Sequence, residues 1–409
     1  MMKRRVVITG IGIYSCIGEN LEEVTQSLRE GKSGIVYDEE RKEMGYRSAL
    51  TGMVDAPNLK GVIKKREKAR LAEQGEYALN ATLEAIENAG LDKEFIAENN
   101  FGILYGNDSS AKAVVHATDT IREKKDTTLL GSGSIFQSMN STVTMNLSTI
   151  FKLKGINMTV SSACSSGSHS IGFGYLLIQM GLQDRIICGG AQEINPYAMG
   201  SFDGLSAFSI REDDPTKASR PFDSDRDGLI PSGGAATVII ESLESAEARN
   251  APILGEIIGF GFSSNGDHIS NPNMEGPARS LQMAIDQAEI TPADIDYINA
   301  HATSTPVGDA NEAKAIDHIF GDAKPYISST KSMTGHECWM AGASEMVYSL
   351  LMMNNSFVAP NINLENPCEE AAELNIPKEA VDTEIDTFLS NSFGFGGTNS
   401  TLIVRKFKK

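Results

Sequence analysis

Short apolar runs that read as strands alternate along the chain with longer stretches that read as helices. Val6-Val7-Ile8-Thr9-Gly10-Ile11-Gly12 opens with a strand, and Ile156-Asn157-Met158-Thr159-Val160 reads as a short buried one. Ile171 to Met180 is apolar enough for a core helix, and Tyr77 to Ala89, Ala278 to Ala288 and Asn311 to Phe320 also read as helical. Glycine-rich strands alternating with helices predict an α/β protein with sheets buried between helices. The pattern repeats weakly: Val6 to Gly18, a strand with Gly10-x-Gly12 and a polar loop, is echoed by Ile253 to Gly266 with Gly259-Phe260-Gly261. A charged stretch from Glu241 to Asn250, read as helical, separates the two halves.

Composition narrows the class. A chain of 409 residues is too long for one ordinary core and implies two domains, with 41% apolar residues to fill them. The net charge of −18 argues against nucleic acid as a partner. Five cysteines at scattered positions give no disulfide framework, which points to a reducing compartment, the cytoplasm. No apolar run approaches the ~20 residues that span a bilayer, so no membrane association is expected. After Met1-Met2-Lys3-Arg4-Arg5 the apolar run is broken at Gly10, so no secretory segment is expected either.

Several motifs invite a ligand and fail on spacing. Asp223-x-Asp225-x-Asp227-Gly228 opens like a calcium loop, but Gly234 stands where a bidentate Glu is required. Gly31-Lys32-Ser33 lacks the first glycine of a phosphate loop, whose place is taken by Gln26. Gly10-x-Gly12 puts Ser15 at the third glycine of a dinucleotide fingerprint and reads as a tight strand-to-loop turn. The histidines and cysteines show no metal spacing, and His169 lies elsewhere than Cys164 on its helix. No metal or cofactor is expected.

Four segments carry chemistry. Val160-Ser161-Ser162-Ala163-Cys164-Ser165-Ser166-Gly167 sets a cysteine among small residues between a strand and a helix, where a helix N-terminus favours negative charge and lowers a thiol pKa. His301 ends a strand and opens the polar loop Ala302-Thr303-Ser304-Thr305-Pro306, and His336 ends Thr330-Lys331-Ser332-Met333-Thr334-Gly335. Asn391-Ser392-Phe393-Gly394-Phe395-Gly396-Gly397-Thr398-Asn399 reads as strand, glycine loop, strand, able to bring a backbone N–H close to a ligand. Plainer readings stand beside these: a small buried apolar cysteine, structural histidines, and a tight hairpin.

Taken together, Ser-Ser-Ala-Cys-Ser-Ser-Gly, His-Ala-Thr-Ser-Thr-Pro-Val-Gly-Asp, Thr-Lys-Ser-Met-Thr-Gly-His and Asn-Ser-Phe-Gly-Phe-Gly-Gly-Thr-Asn resemble the β-ketoacyl-[acyl-carrier-protein] synthases. The likeness runs end to end, through Arg220-Pro221-Phe222-Asp223 and Arg226-Asp227-Gly228, and is to the elongating type I/II branch with a Cys-His-His triad. The initiating branch would show Asn for the second His, and a thiolase a second Cys in the last glycine loop. The resemblance implies a thiolase-like five-layered αβαβα fold in two similar halves, residues 1–250 with the nucleophile and 251–409 with the two histidines. It implies a homodimer, and acyl- and malonyl-loaded acyl carrier protein as partners. Catalytic Cys164, His301, His336 and Lys331 follow from it, with Glu312 and Asp309 in support and the backbone N–H groups of Cys164 and Phe395 as oxyanion hole, Phe395 also gating the acyl site.

Implied too is fatty-acid elongation by two carbons, with a polyene or polyketide ketosynthase, a non-catalytic chain-length factor, or a Cys/His hydrolase as alternatives. An acidic carrier needs a local cationic patch, and Lys65, Arg66, Lys68 and Arg70 form the densest basic cluster. The competing reading of that cluster is a solvated helix face balanced by Glu67, Glu73 and Glu76. One departure stands out: Glu337-Cys338-Trp339-Met340 follows His336, where the family places small residues. Chain length therefore does not carry over.

Overall fold

In the computed structural model, which describes residues 3–408, one hydrogen-bonded sheet of ten strands runs through the molecule. In chain order these are β1 (Val6–Ser15), β2 (Phe101–Gly106), β3 (Asn157–Val160), β4 (Arg185–Gln192), β5 (Gly234–Ser242), β6 (Gly255–Ser264), β7 (Tyr297–Asn299), β8 (Tyr326–Ser328), β9 (Thr387–Gly394) and β10 (Thr398–Arg405). Their spatial order is β8-β7-β9-β10-β6-β1-β5-β4-β2-β3. Counted from its own first strand, each half of the sheet has the order 3-2-4-5-1, and the halves meet antiparallel where β1 pairs β6 at Val6–Ile8. The two outermost pairs in each half are parallel and the inner ones antiparallel. The weak echo in the sequence is therefore a repeat of topology.

The repeat extends to packing. Helices α1 (Glu73–Asn88) and α3 (Glu275–Ala288) cover the outer faces of the first and second half-sheets, α3 beside α4 (Pro306–Phe320). Gly10 and Gly12 lie inside β1 rather than in a turn, because α1 crosses there so closely that a Cβ at Gly12 would stand 2.1 Å from the carbonyl oxygen of Ala81. Gly261 in β6 does the same service for α3, with the oxygen of Ser280 at 1.9 Å from a built Cβ. The glycine pairs are sites of close helix–sheet approach.

Between the half-sheets lie α2 (Ser166–Gln179) and α5 (Ala341–Asn354), giving the layer order helix, sheet, helix, sheet, helix. A helix buried on every side must be apolar or small all round, and α5 is buried without interruption from Ala341 to Met353. Two expectations need correction. The run before Cys164 is buried only at Val160: β3 is the last strand of the sheet, with Asn157 and Met158 exposed, and among the described residues no strand pairs its outer edge. The stretch from Glu241 is helical only over Leu243–Ala248; Glu241 itself lies in β5 as a buried carboxylate held by Thr9, Arg185 and Arg249.

Candidate active site

The chain leaves β3 and makes a tight elbow into α2, so that Cys164 sits in a single turn of 3-10 helix just ahead of it. Ala163 adopts a positive φ of 48°, a conformation that costs a non-glycine residue about 1–3 kcal/mol and is retained where the surroundings enforce it. The glycine loop packs onto this elbow. A Cβ at Gly394 would lie 3.1 Å from the backbone nitrogen of Cys164, and the Phe395 N–H is directed at the thiol.

The second half of the sheet supplies the histidines. His301 follows β7, and His336 follows the short helix Lys331–Thr334 beyond β8. Their rings meet edge to face with centroids 5.3 Å apart, and Phe393 packs against His301. Cys164, His301, His336, Phe393, Phe395 and Phe202 line one cavity of about 420 Å³. The tertiary fold thus brings the four chemical segments to one place.

Burial decides the protonation states. Both imidazoles are held well below the ordinary histidine pKa, first by burial and then by the Lys331 charge, so both are neutral at pH 7. The Nζ of Lys331 is 3.4 Å from Nδ1 of His301. An ammonium only donates, so Nδ1 accepts and the ring proton is on Nε2. The expected lowering of the Cys164 thiol is not found: burial pushes it up to about 11, outweighing the Lys331 charge and the Phe395 N–H that pull it down. Position at a helix N-terminus is not enough where desolvation is complete.

Lys331 pairs with Glu345 of α5, a fully buried ion pair. Glu312 accepts from the backbone N–H of His301 at 2.8 Å and from Asn391 at 3.1 Å; burial pushes its carboxyl to about 7 against the pull of these bonds and of the Lys331 charge. Asp309 sits further back, accepting from the N–H groups of Phe222 and Thr305 and facing Arg226 at 3.4 Å, where it braces the loop that follows His301. Asp223, the first ligand position of the rejected calcium loop, is spent on the backbone N–H groups of Asp225, Glu365 and Asn366.

Glu345 was legible only as a charged residue in an otherwise apolar helix, which signals a buried partner without naming it. Trp339 is partly buried, packs on Phe202 and donates to Ser109 Oγ; Phe202 in turn stacks on Phe395. His169 lies one turn beyond Cys164, bonded to Thr398 and stacked on Phe173. Lys65, Arg66 and Lys68 are exposed on the short helix Lys65–Lys68, Lys68 paired with Glu76 at 3.6 Å, while Arg70 lies over the Phe136 ring. None of the four lines the cavity.

Comparison with known proteins gives a consistent family. The β-ketoacyl synthase N-terminal domain matches residues 3–246 and the β-ketoacyl synthase C-terminal domain residues 254–365. The chain is 43% identical over 408 residues to 3-oxoacyl-[acyl-carrier-protein] synthase 1 of Escherichia coli K12, covering 99% of this chain and 100% of that one. Among solved structures it is similar to a β-ketoacyl synthase from Burkholderia phymatum STM815, with 35% identity, a TM-score of 0.95, and 99% and 100% of the two chains covered. It is also similar, at 28% identity and a TM-score of 0.89 over 99% of this chain and 100% of that one, to a chain of AntDE:AntF, a type II PKS acyl-carrier protein in complex with its ketosynthase bound to the hexaketide.

Proposed function

This chain belongs to the β-ketoacyl synthase family, and from that premise we propose that it elongates acyl chains by two carbons in fatty-acid biosynthesis, condensing malonyl-acyl carrier protein with an acyl group held on Cys164. The observation that carries the reading is the pair of neutral imidazoles beside the buried thiol in one cavity. In the first half-reaction the Cys164 thiol gives up its proton as its sulfur attacks the acyl thioester carbonyl, the C–S bond to the carrier breaks, and that proton passes to the departing carrier thiolate. The N–H groups of Cys164 and Phe395 hold the oxyanion, a contribution of about 2.7–4 kcal/mol for each such donor.

In the second half-reaction malonyl-carrier protein loses carbon dioxide, and the electrons of the broken bond pass into an enolate. Neutral His301 and His336 act as N–H donors to the enolate oxygen, a charge that a protonated pair would bind at the cost of stabilising the ground-state carboxylate as well. The enolate carbon then attacks the Cys164 thioester, and sulfur departs as thiolate. Lys331, held by Glu345, orients His301 through Nδ1; Glu312 fixes the His301 backbone, and Phe395 gates the acyl side.

The same reading assigns the carrier to the cationic face of Lys65, Arg66, Lys68 and Arg70. It also assigns a homodimer, supported by the outer edge of β3, which no strand pairs among the described residues and where Met158 is exposed, since an open edge strand invites a partner strand. A division into halves at residue 250 is supported by the repeated strand order. Among the described residues no helix is long and apolar enough to cross a membrane; the five free thiols favour the cytoplasm.

Mass spectrometry of the products from acyl- plus malonyl-carrier protein tests the reading. A gain of two carbons is expected. Free acid alone would make the protein a hydrolase, and turnover only with a second subunit would make it a chain-length factor.

A further inference from the structure

Asp108 reaches from the loop after β2 to the elbow that carries Cys164. Its carboxylate accepts from the backbone N–H of Ala163 at 3.0 Å and from the hydroxyl of Ser161. Strands β2 and β3 run parallel with Gly106 opposite Val160, so their chains leave the sheet side by side and Asp108 ties one loop to the other. Ala163 is in the left-handed region, which a residue with a Cβ adopts only when its surroundings require it. Two side chains impose it: Ser166 Oγ accepts from the N–H of Ser162 at 2.9 Å, and Asp108 accepts from the next N–H. The loop bearing Asp108 is itself anchored, because Glu193 accepts from Ser109 Oγ at 3.0 Å and from the N–H groups of Ala111 and Lys112.

We propose that Asp108 is a positioning residue for Cys164, its carboxylate fixing the strained turn that presents the sulfur to the cavity. The proposal rests on Cys164 being the nucleophile of the condensing reaction. Asp108 acts through Ala163 and Ser161 and does not reach substrate. Its negative charge also works on the thiol, opposing ionisation, while the Lys331 charge and the Phe395 N–H favour it and the buried Cys338 thiol lies close by. Replacement by Asn separates the two effects. The amide still accepts from Ala163 and donates to Ser161, but the charge is gone.

The experiment is iodoacetamide alkylation of Cys164 against pH, followed by peptide mass, in the full-length wild type, Asp108→Asn and Asp108→Ala. Acyl transfer to Cys164, malonyl-carrier decarboxylation and far-UV circular dichroism are measured alongside. Asp108→Asn is expected to move the alkylation midpoint down by roughly half a pH unit or more, as removal of a nearby like charge requires. Asp108→Ala is expected to slow acyl transfer by about tenfold or more, the usual consequence of a displaced nucleophile. Its decarboxylation is expected to hold to within about threefold, and Asp108→Asn to recover much of the transfer. An unshifted alkylation profile with unchanged transfer in both variants would overturn the proposal. So would a parallel loss of both half-reactions with no recovery in Asp108→Asn. Alkylation needs no acyl substrate, so a failure of the condensing reading would leave the profile shift intact and remain distinguishable.

Discussion

The rings of His301 and His336 stand at 88° to each other with centroids 5.3 Å apart, each neutral and each brought by a different strand of the second half-sheet. On the proposed reading both rings donate to one enolate oxygen without sharing a proton. His301→Ala or His336→Ala is therefore expected to slow malonyl decarboxylation by about 100-fold or more, while Cys164→Ala abolishes acyl transfer and retains decarboxylation. Release of labelled carbon dioxide, measured beside acyl-enzyme formation, checks the division; equal loss of both steps in all three variants would contradict it.

Lys331 and Glu345 are each 1% exposed. Removing one partner strands the other charge in the core, at a cost of about 3–5 kcal/mol, whereas replacing both by apolar residues of similar size is close to neutral. Denaturant unfolding of Lys331→Met, Glu345→Met and the double variant is expected to show the double as the more stable of the three. The double variant should still lose decarboxylation, because Nδ1 of His301 then has no donor.

Trp339 stands behind Phe202, which lines the cavity and stacks on Phe395. Trp339→Ala is expected to enlarge the space behind Phe202 and extend the accepted acyl chain by two or more carbons, at about 1–3 kcal/mol of stability for a partly buried ring. A product-length profile that does not change would show that the indole only fills space.

His169 is neutral and buried, its pKa held down to about 4 by desolvation. Below the unfolded value of 6.5 the unfolded chain binds a proton that the native state refuses, so this residue's effect on stability is lost as pH falls from 6.5 to about 4, at about 1.4 kcal/mol per pH unit. Against pH, the stability of wild type minus His169→Gln is expected to fall across that window and be flat above it. Urea unfolding at pH 7.5, 6.0 and 5.0 checks the slope.

Lys65 and Arg66 are exposed and lie outside the cavity. Their charge reversal is expected to raise KM for carrier-linked substrate several-fold at low salt with kcat little changed, the signature of lost steering rather than lost chemistry. The circular dichroism spectrum should not alter, and an unchanged KM would place the docking face elsewhere.

Local signals were legible where the cause was local. The cysteine elbow, His301 just past a strand and the glycine loop each carry their own turn chemistry and lie where they were expected, whereas His336, expected at a strand end, follows the short helix Lys331–Thr334. Met158 misled because an apolar residue at an open sheet edge reads like one in a core. Gly10 and Gly12 misled because a close helix crossing and a tight turn make the same demand on sequence. Glu345 and Asp108 were missed because their partners, Lys331 and Ala163, come from other elements.

By itself the sequence determined the alternation of strands and helices and the repeat, since periodicity and turn preference act over a few neighbouring residues, and the resemblance of its motifs to a family singled out the thiol and the two imidazoles. Only the tertiary structure decided that these groups share a cavity, that the thiol is pushed up rather than down, and that Lys331 answers to Glu345. Desolvation and ion pairing depend on which distant segments close over a group, and that is set when the two half-sheets clasp the central helices.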